Sequence, residues 1–222
     1  MDPLRVWTEP WDVDRKLAAL AEGLTQEILR ETVRRAHAGW ATCTPHHPRG
    51  YAGITRWAEG IRALRDQLVP EGWSSEDDRG QPLTVDASGS LAITVLSGDE
   101  ITGKVEQGQP RTSAGHGPAT VEFVDQNAFL FPQMEAEARA KQEQQLRRAK
   151  NTWVLLLHRD GKLGQVRCEL SLPTAMGVEG RIVTWSERII LPPVEFEPTP
   201  DSVMSSGGPD DGEITIDIKR RV

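Results

Sequence analysis

The feature that most constrains this chain is the run Trp153-Val154-Leu155-Leu156-Leu157, five apolar residues in succession. A strand whose apolar side chains point both ways must be covered on both faces, so it belongs near the centre of a sheet. Asp160-Gly161 follows as a turn. Val166, Cys168, Leu170 and Leu172 then alternate with Arg167, Glu169 and Ser171, the period of two that marks a half-buried strand. With a third strand at 181–191, an antiparallel meander is expected. Upstream, Leu83 and Val85 precede Asp86-Ala87-Ser88-Gly89-Ser90 and Leu91, Ile93 and Val95 follow it, which reads as a hairpin. Residues 121–124 read as a further short strand.

The N-terminal part carries the helical period instead. A helix is expected from Asp12 or Asp14 to about Ala38, with Val13, Leu17, Leu20, Ala21, Leu24, Ile28 and Val33 on one apolar stripe. A second is expected from about Ala52 until Pro70 and Gly72 end it, with Ile54, Trp57, Ala58, Ile61, Leu64 and Leu68 as its buried stripe. The two are expected to pair across the loop at 42–49, which is longer than a minimal helical hairpin needs. Trp7 and Trp11 are expected to close the core at the start of the first helix. A further helix at 133–150 has a thin, alanine-rich stripe, suited to close packing on a flat surface or to a partner.

Beyond Pro192 the composition shifts to proline, glycine and acids, a flexible linker, after which Ile214, Ile216 and Ile218 alternate with polar residues as a tethered strand. Such a strand either joins its own sheet or adds to the edge of another chain, which makes these isoleucines the candidate partner-binding residues. The expectation is therefore an α+β fold. It comprises an N-terminal amphipathic helix pair and a mainly antiparallel sheet with one further helix, in a single domain over 1–198. The helical part is 12–70 and the sheet-rich part 82–192; the flexible acidic linker and terminal strand occupy 199–222.

The net charge of −7 gives no overall attraction to phosphate, so nucleic acid is not expected as a partner. The basic residues Arg139, Lys141, Arg147, Arg148 and Lys150 are interleaved with Glu135, Glu137 and Glu143, as on a solvated helix face. Two cysteines, Cys43 and Cys168, make no disulfide framework and fit a reducing, bacterial-type cytoplasm. No stretch approaches the roughly 18 apolar residues of a membrane span, and no membrane partner is expected.

Chemistry has two candidate locations. The stretch 97–120 is rich in glycine and polar residues, and Asp99, Lys104, Arg111 and His116 are the residues there able to act on a phosphorylated or nucleotide-like ligand. Thr102-Gly103-Lys104 lacks the earlier glycine and the following helix of a phosphate-binding loop. Cys43, His46 and His47, with His37 nearby, form the one cluster of metal-ligand types. Their spacing is not the paired spacing of a structural zinc site, so no metal and no cofactor are expected. Cys168, on the apolar side of its strand, reads as a core residue.

With no catalytic motif and an acidic surface, the expected function is a non-catalytic protein-binding accessory or inhibitor acting on another protein. The alternatives are an enzyme with its site at 97–120, and an acidic nucleic-acid mimic using Glu71, Glu76, Asp77, Asp78 and the acids of the tail.

Overall fold

The computed structural model describes residues 4–78, 80–129 and 151–197. In chain order the elements are β1 (Arg5–Trp7), α1 (Pro10–Leu20), α2 (Gln26–Ala41), α3 (Tyr51–Leu68), β2 (Ser74–Asp78), β3 (Gln81–Val85), β4 (Leu91–Ser97), α4 (Pro118–Phe129), β5 (Asn151–Asp160), β6 (Gln165–Met176) and β7 (Ile182–Glu195), with a 3-10 turn at Val69–Glu71. The fold is α+β: among the described residues there are four helices and a seven-stranded mixed sheet of order β1-β7-β6-β5-β4-β3-β2.

The meander β5–β6–β7 and the hairpin β3–β4 are antiparallel. β4 and β5 run parallel, as a long connection between neighbouring strands permits. This places β5 in the middle of the sheet, where its apolar run meets cover on both sides. Trp153, Leu155 and Leu157 join a core with α1, α2 and α3, while Val154 and Leu156 join a second core with Phe123 and Val124 of α4. Asn127 of α4 fixes that second layer: its side chain donates to Thr152 O (2.9 Å) and Pro173 O (3.1 Å) and accepts from Thr152 N (3.0 Å).

Several expectations need correction. The first helix is broken into α1 and α2, because Gly23 takes φ of 78° and the Thr25 hydroxyl accepts the Ile28 amide, starting a new helix. α1 begins after Glu9 with Pro10 in its first turn, rather than at an aspartate cap. Residues 121–124 lie in a helix, α4. Thr120, Phe123, Val124 and Asn127 are its buried positions, a period of three and four that four residues alone could not display. β1 and β2 add two strands to those expected; one is short, and the other, Ser-Ser-Glu-Asp-Asp, has no apolar residue to mark it. Trp7 packs against the core, whereas Trp11 is 63% exposed with the Arg15 guanidinium over its ring.

The largest departure concerns α3. Its buried residues are Ala52, Arg56, Gly60, Ile61, Ala63, Leu64 and Leu68, so Ile54, Trp57 and Ala58 lie outside the buried stripe expected for them. Gly60 supplies the reason: a Cβ there would come within 3.2 Å of Val95 and 3.4 Å of Ala36. At Gly60 the helix lies close to β4 and α2 through a residue without a side chain, and Ile54 and Trp57 on the other side are exposed. The helix expected at 133–150, the linker and the terminal strand lie outside the described residues.

Candidate functional site

The stretch after β4 is tied to the second face of the sheet by its backbone. Thr112 N donates to Ile182 O, Ser113 N to Ser97 O, His116 N to Gly180 O, and the Trp185 indole donates to Pro110 O at 2.7 Å. Beneath it lies an ion pair between Arg188 and Glu169, 1% and 0% exposed as side chains. Arg188 Nε and Nη2 donate to the two Glu169 oxygens at 3.0 and 2.6 Å, and its remaining bonds go to Lys104 O and Gly108 O. Glu169 also accepts from Gly103 N and Ser171 Oγ. Arg167 adds bonds to Thr102 O and Glu100 O while pairing with Asp160. A buried ion pair is tolerable when its donors and acceptors are satisfied, and here the partners come from the loop itself. Gly103 is needed at this contact, since it takes φ of 73° and a Cβ would sit 2.9 Å from that of Arg167.

The four candidate side chains of this stretch divide between local contacts and solvent. Asp99 accepts the Ile101 amide within its own turn, and Lys104 Nζ donates to Gln107 at 3.3 Å. Arg111 is exposed, and His116 lines an open depression with Pro118, Val121, Glu122 and Asp125 of α4. Composition alone locates a long loop here. The pair that holds it, Glu169 and Arg188, is hidden in sequence among residues that look like ordinary strand alternation.

Of the metal-ligand types, Cys43 is buried, His46 is exposed, and His47 accepts the Thr44 amide and stacks on Tyr51 at 4.6 Å. Among the described residues no group of three histidine, cysteine or acidic side chains is placed to hold a metal. Cys168 is fully buried, which pushes its thiol up to about 12 and leaves it a core residue.

Two surfaces emerge at the end of the molecule where α3 begins. The first is the outward face of α3. Tyr51, Ile54 and Trp57 are 42%, 43% and 37% exposed, three residues apart on one helix, with Ala58 beside them. The same face continues into a concavity lined by Trp57, Ile61, Arg62, Arg65, Asp77 and Pro82. Ion pairs border it, Arg62 with Glu59 and Asp66, and Arg65 with Asp77.

The second is a cationic, aromatic cluster at the carboxyl ends of the parallel strands β4 and β5. Arg56 is buried on the inner side of α3 and donates to Ser97 Oγ at 2.8 Å. His158 Nδ1 donates to Gly98 O. Arg159 lies over the Trp40 ring at 4.0 Å and the Phe196 ring at 4.9 Å, and His37 stacks on Phe196 at 4.0 Å. Gly161 leaves room for the Arg159 guanidinium, since a Cβ there would meet it at 2.6 Å. Burial, then the charges of Arg159 and Arg56, push His37 down to about 4. Burial also pushes His158 down.

The sequence signal for both surfaces is the alternative stripe Ala52, Arg56, Gly60, Ala63, Leu64. Hydropathy passes over it because its members are mostly small or charged, although small residues are what close helix packing selects. No protein-family model, curated protein or solved structure matches the chain. Among the described residues no helix is long and apolar enough to cross a membrane.

Proposed function

We propose that this chain is a non-catalytic, protein-binding accessory or inhibitor, and that it docks on its partner through the outward face of α3. The observation that carries this reading is the outward turn of the bulky residues in the first half of that helix, while Ile61, Leu64 and Leu68 are buried. An arginine and a glycine occupy its inner side, while tyrosine, isoleucine and tryptophan stand exposed in a row. Aromatic residues presented this way, ringed by charged pairs, have the composition of an interface centre with a polar rim. A helix held rigidly by tight packing at Gly60 presents them with little ordering cost on binding. The partner surface that fits is an apolar cleft with both signs of charge at its border, because Arg62, Arg65, Glu59 and Asp66 all lie at the rim.

The test is affinity purification from the native host with nuclease present, comparing the wild-type chain, the double variant Ile54→Asp/Trp57→Ala, and Leu163→Asp. Leu163 is exposed on a turn elsewhere and serves as the control. The expected outcome is a stoichiometric protein retained by the wild type and the control and lost from the double variant, with all three melting alike. Retention by the double variant, or a partner removed by nuclease, overturns the reading.

A further inference from the structure

The two ends of the sheet are finished differently. At the β7 end the outer edge is covered or blocked in turn. Thr112 bonds both main-chain groups of Ile182, the Gln109 side chain accepts the Trp185 amide at 2.8 Å, and β1 pairs with Glu187 to Ile189. Pro192 and Pro193, both exposed, then withhold their donors. At the other end β2 is the last strand, paired to β3 over five residues, with Ser74, Ser75, Glu76 and Asp77 exposed. A strand with one neighbour turns alternate amides and carbonyls outward, a template for one strand more.

This edge adjoins the exposed row of α3. Asp77 of β2, Pro82 of β3 and Trp57, Ala58 and Ile61 of α3 wall a single concavity. Arg65 spans it, donating to the Glu76 carbonyl at 2.9 Å and to Asp77 Oδ1 at 3.0 Å. The register sets Ser75 and Asp77 opposite Thr84 and Pro82, on the face toward α3, and Glu76 opposite Leu83 on the other face. A strand laid along β2 therefore turns alternate side chains into the concavity and the remainder to the side of Glu76.

Charge selects the kind of strand. β2 reads Ser-Ser-Glu-Asp-Asp, so a second copy pairing antiparallel here would bring acids against acids, whereas lysine or arginine opposite them is favourable. Acids on an edge ordinarily keep like strands apart, and here an apolar groove beside them leaves a strand of opposite charge something to bury. We propose that β2 receives an extended segment of the partner protein, one alternating apolar residues with lysine or arginine, as a further strand of the sheet. This rests on docking through α3 and names what the partner brings to the border of that face. Main-chain bonds to β2 hold the segment, its apolar side chains enter the concavity beside Trp57 and Ile61, and its cations lie beside Glu76.

The probe is a phage-displayed library of random peptides twelve residues long, selected on the full-length chain. The enriched sequence, made as a free peptide, is titrated into wild type, Glu76→Lys and Glu106→Lys, each shown to be folded by thermal melts. Glu106 is exposed on the loop held by Arg188 and takes the same charge change away from the edge. Enriched peptides are expected to alternate apolar and basic residues and to shift the NMR signals of amides 74–78 and of the Trp57 indole. Their affinity is expected to fall about fivefold or more in Glu76→Lys, where a cross-strand attraction becomes a repulsion, and to be unchanged in Glu106→Lys. No enrichment, acidic peptides, apolar residues at helical spacing, signals shifted away from β2, or equal affinity for all three proteins would overturn the proposal. In affinity purification, a partner retained by Glu76→Lys yet lost from Ile54→Asp/Trp57→Ala would overturn the added strand and leave docking through α3 standing. A wild-type dimer that becomes a monomer in that double variant, read by light scattering, would assign the face to a second copy and overturn it as well.

Discussion

The two residues that hold the long loop from beneath, Glu169 and Arg188, carry charge at positions where a sheet facing a second layer would ordinarily be apolar. Removing one partner leaves the other buried and unpaired, so Glu169→Gln or Arg188→Met is expected to lower stability by about 3–5 kcal/mol, measured by urea unfolding. A double replacement by apolar residues would recover part of that loss in strand packing. It would still leave Gly103 N, Lys104 O and Gly108 O without their present partners, and the loop should then exchange its amides faster. His37 is a separate case. Its imidazole ordinarily titrates near 6.5 and in this fold near 4, because burial and the neighbouring arginines oppose its charge. The unfolded chain therefore takes up the proton first as pH falls. The stability contributed by neutral His37 is intact above about pH 6.5 and is lost progressively down to about pH 4. His37→Gln should flatten that part of the stability profile relative to wild type. An identical slope in both proteins would show that burial and the neighbouring arginines do not hold His37 neutral in the fold.

Among the elements, α3 is the most informative, because its packing decides what the molecule shows to its surroundings. Gly60→Leu is expected to force α3 away from Val95 and Ala36 and to cost about 1–3 kcal/mol in thermal or urea unfolding, the usual effect of overpacking. Asn127→Ala should cost a comparable amount, since the Thr152 backbone would lose the partner that seats α4 on β5. These same elements show how far the sequence can be read. The meander and the hairpin are legible because alternation sustained over many residues is the mark of a strand with one face buried, and the apolar run at 153–157 sets β5 in the interior. α4 is not legible, since the apolar residues at 121, 123 and 124 fit either period. The break between α1 and α2 is written in Gly23 and Thr25, yet an uninterrupted apolar stripe from Val13 to Val33 conceals it. α3 misleads for a different reason: hydrophobicity ranks tryptophan and isoleucine above alanine and glycine, whereas close approach of two helices and a strand ranks them in reverse. Of the candidate site, the loop at 97–120 is visible from its composition. The clusters around Arg56 and around Trp57 require the three-dimensional turn of one helix.

For the whole molecule, the sheet divides its surroundings into two layers with different characters. One layer, α4 and the long loop, is bound to the sheet by buried polar contacts. The other, α1 to α3, ends in an exposed aromatic row with a cationic cluster close behind it. If this row is where a protein partner sits, site-specific photocrosslinking in the native host measures it most directly. A photoreactive phenylalanine analogue would replace Trp57 in one strain and Leu163 in another. A discrete protein adduct is expected from position 57 and none from position 163. No adduct at 57, or the same adduct at both positions, would contradict docking through α3.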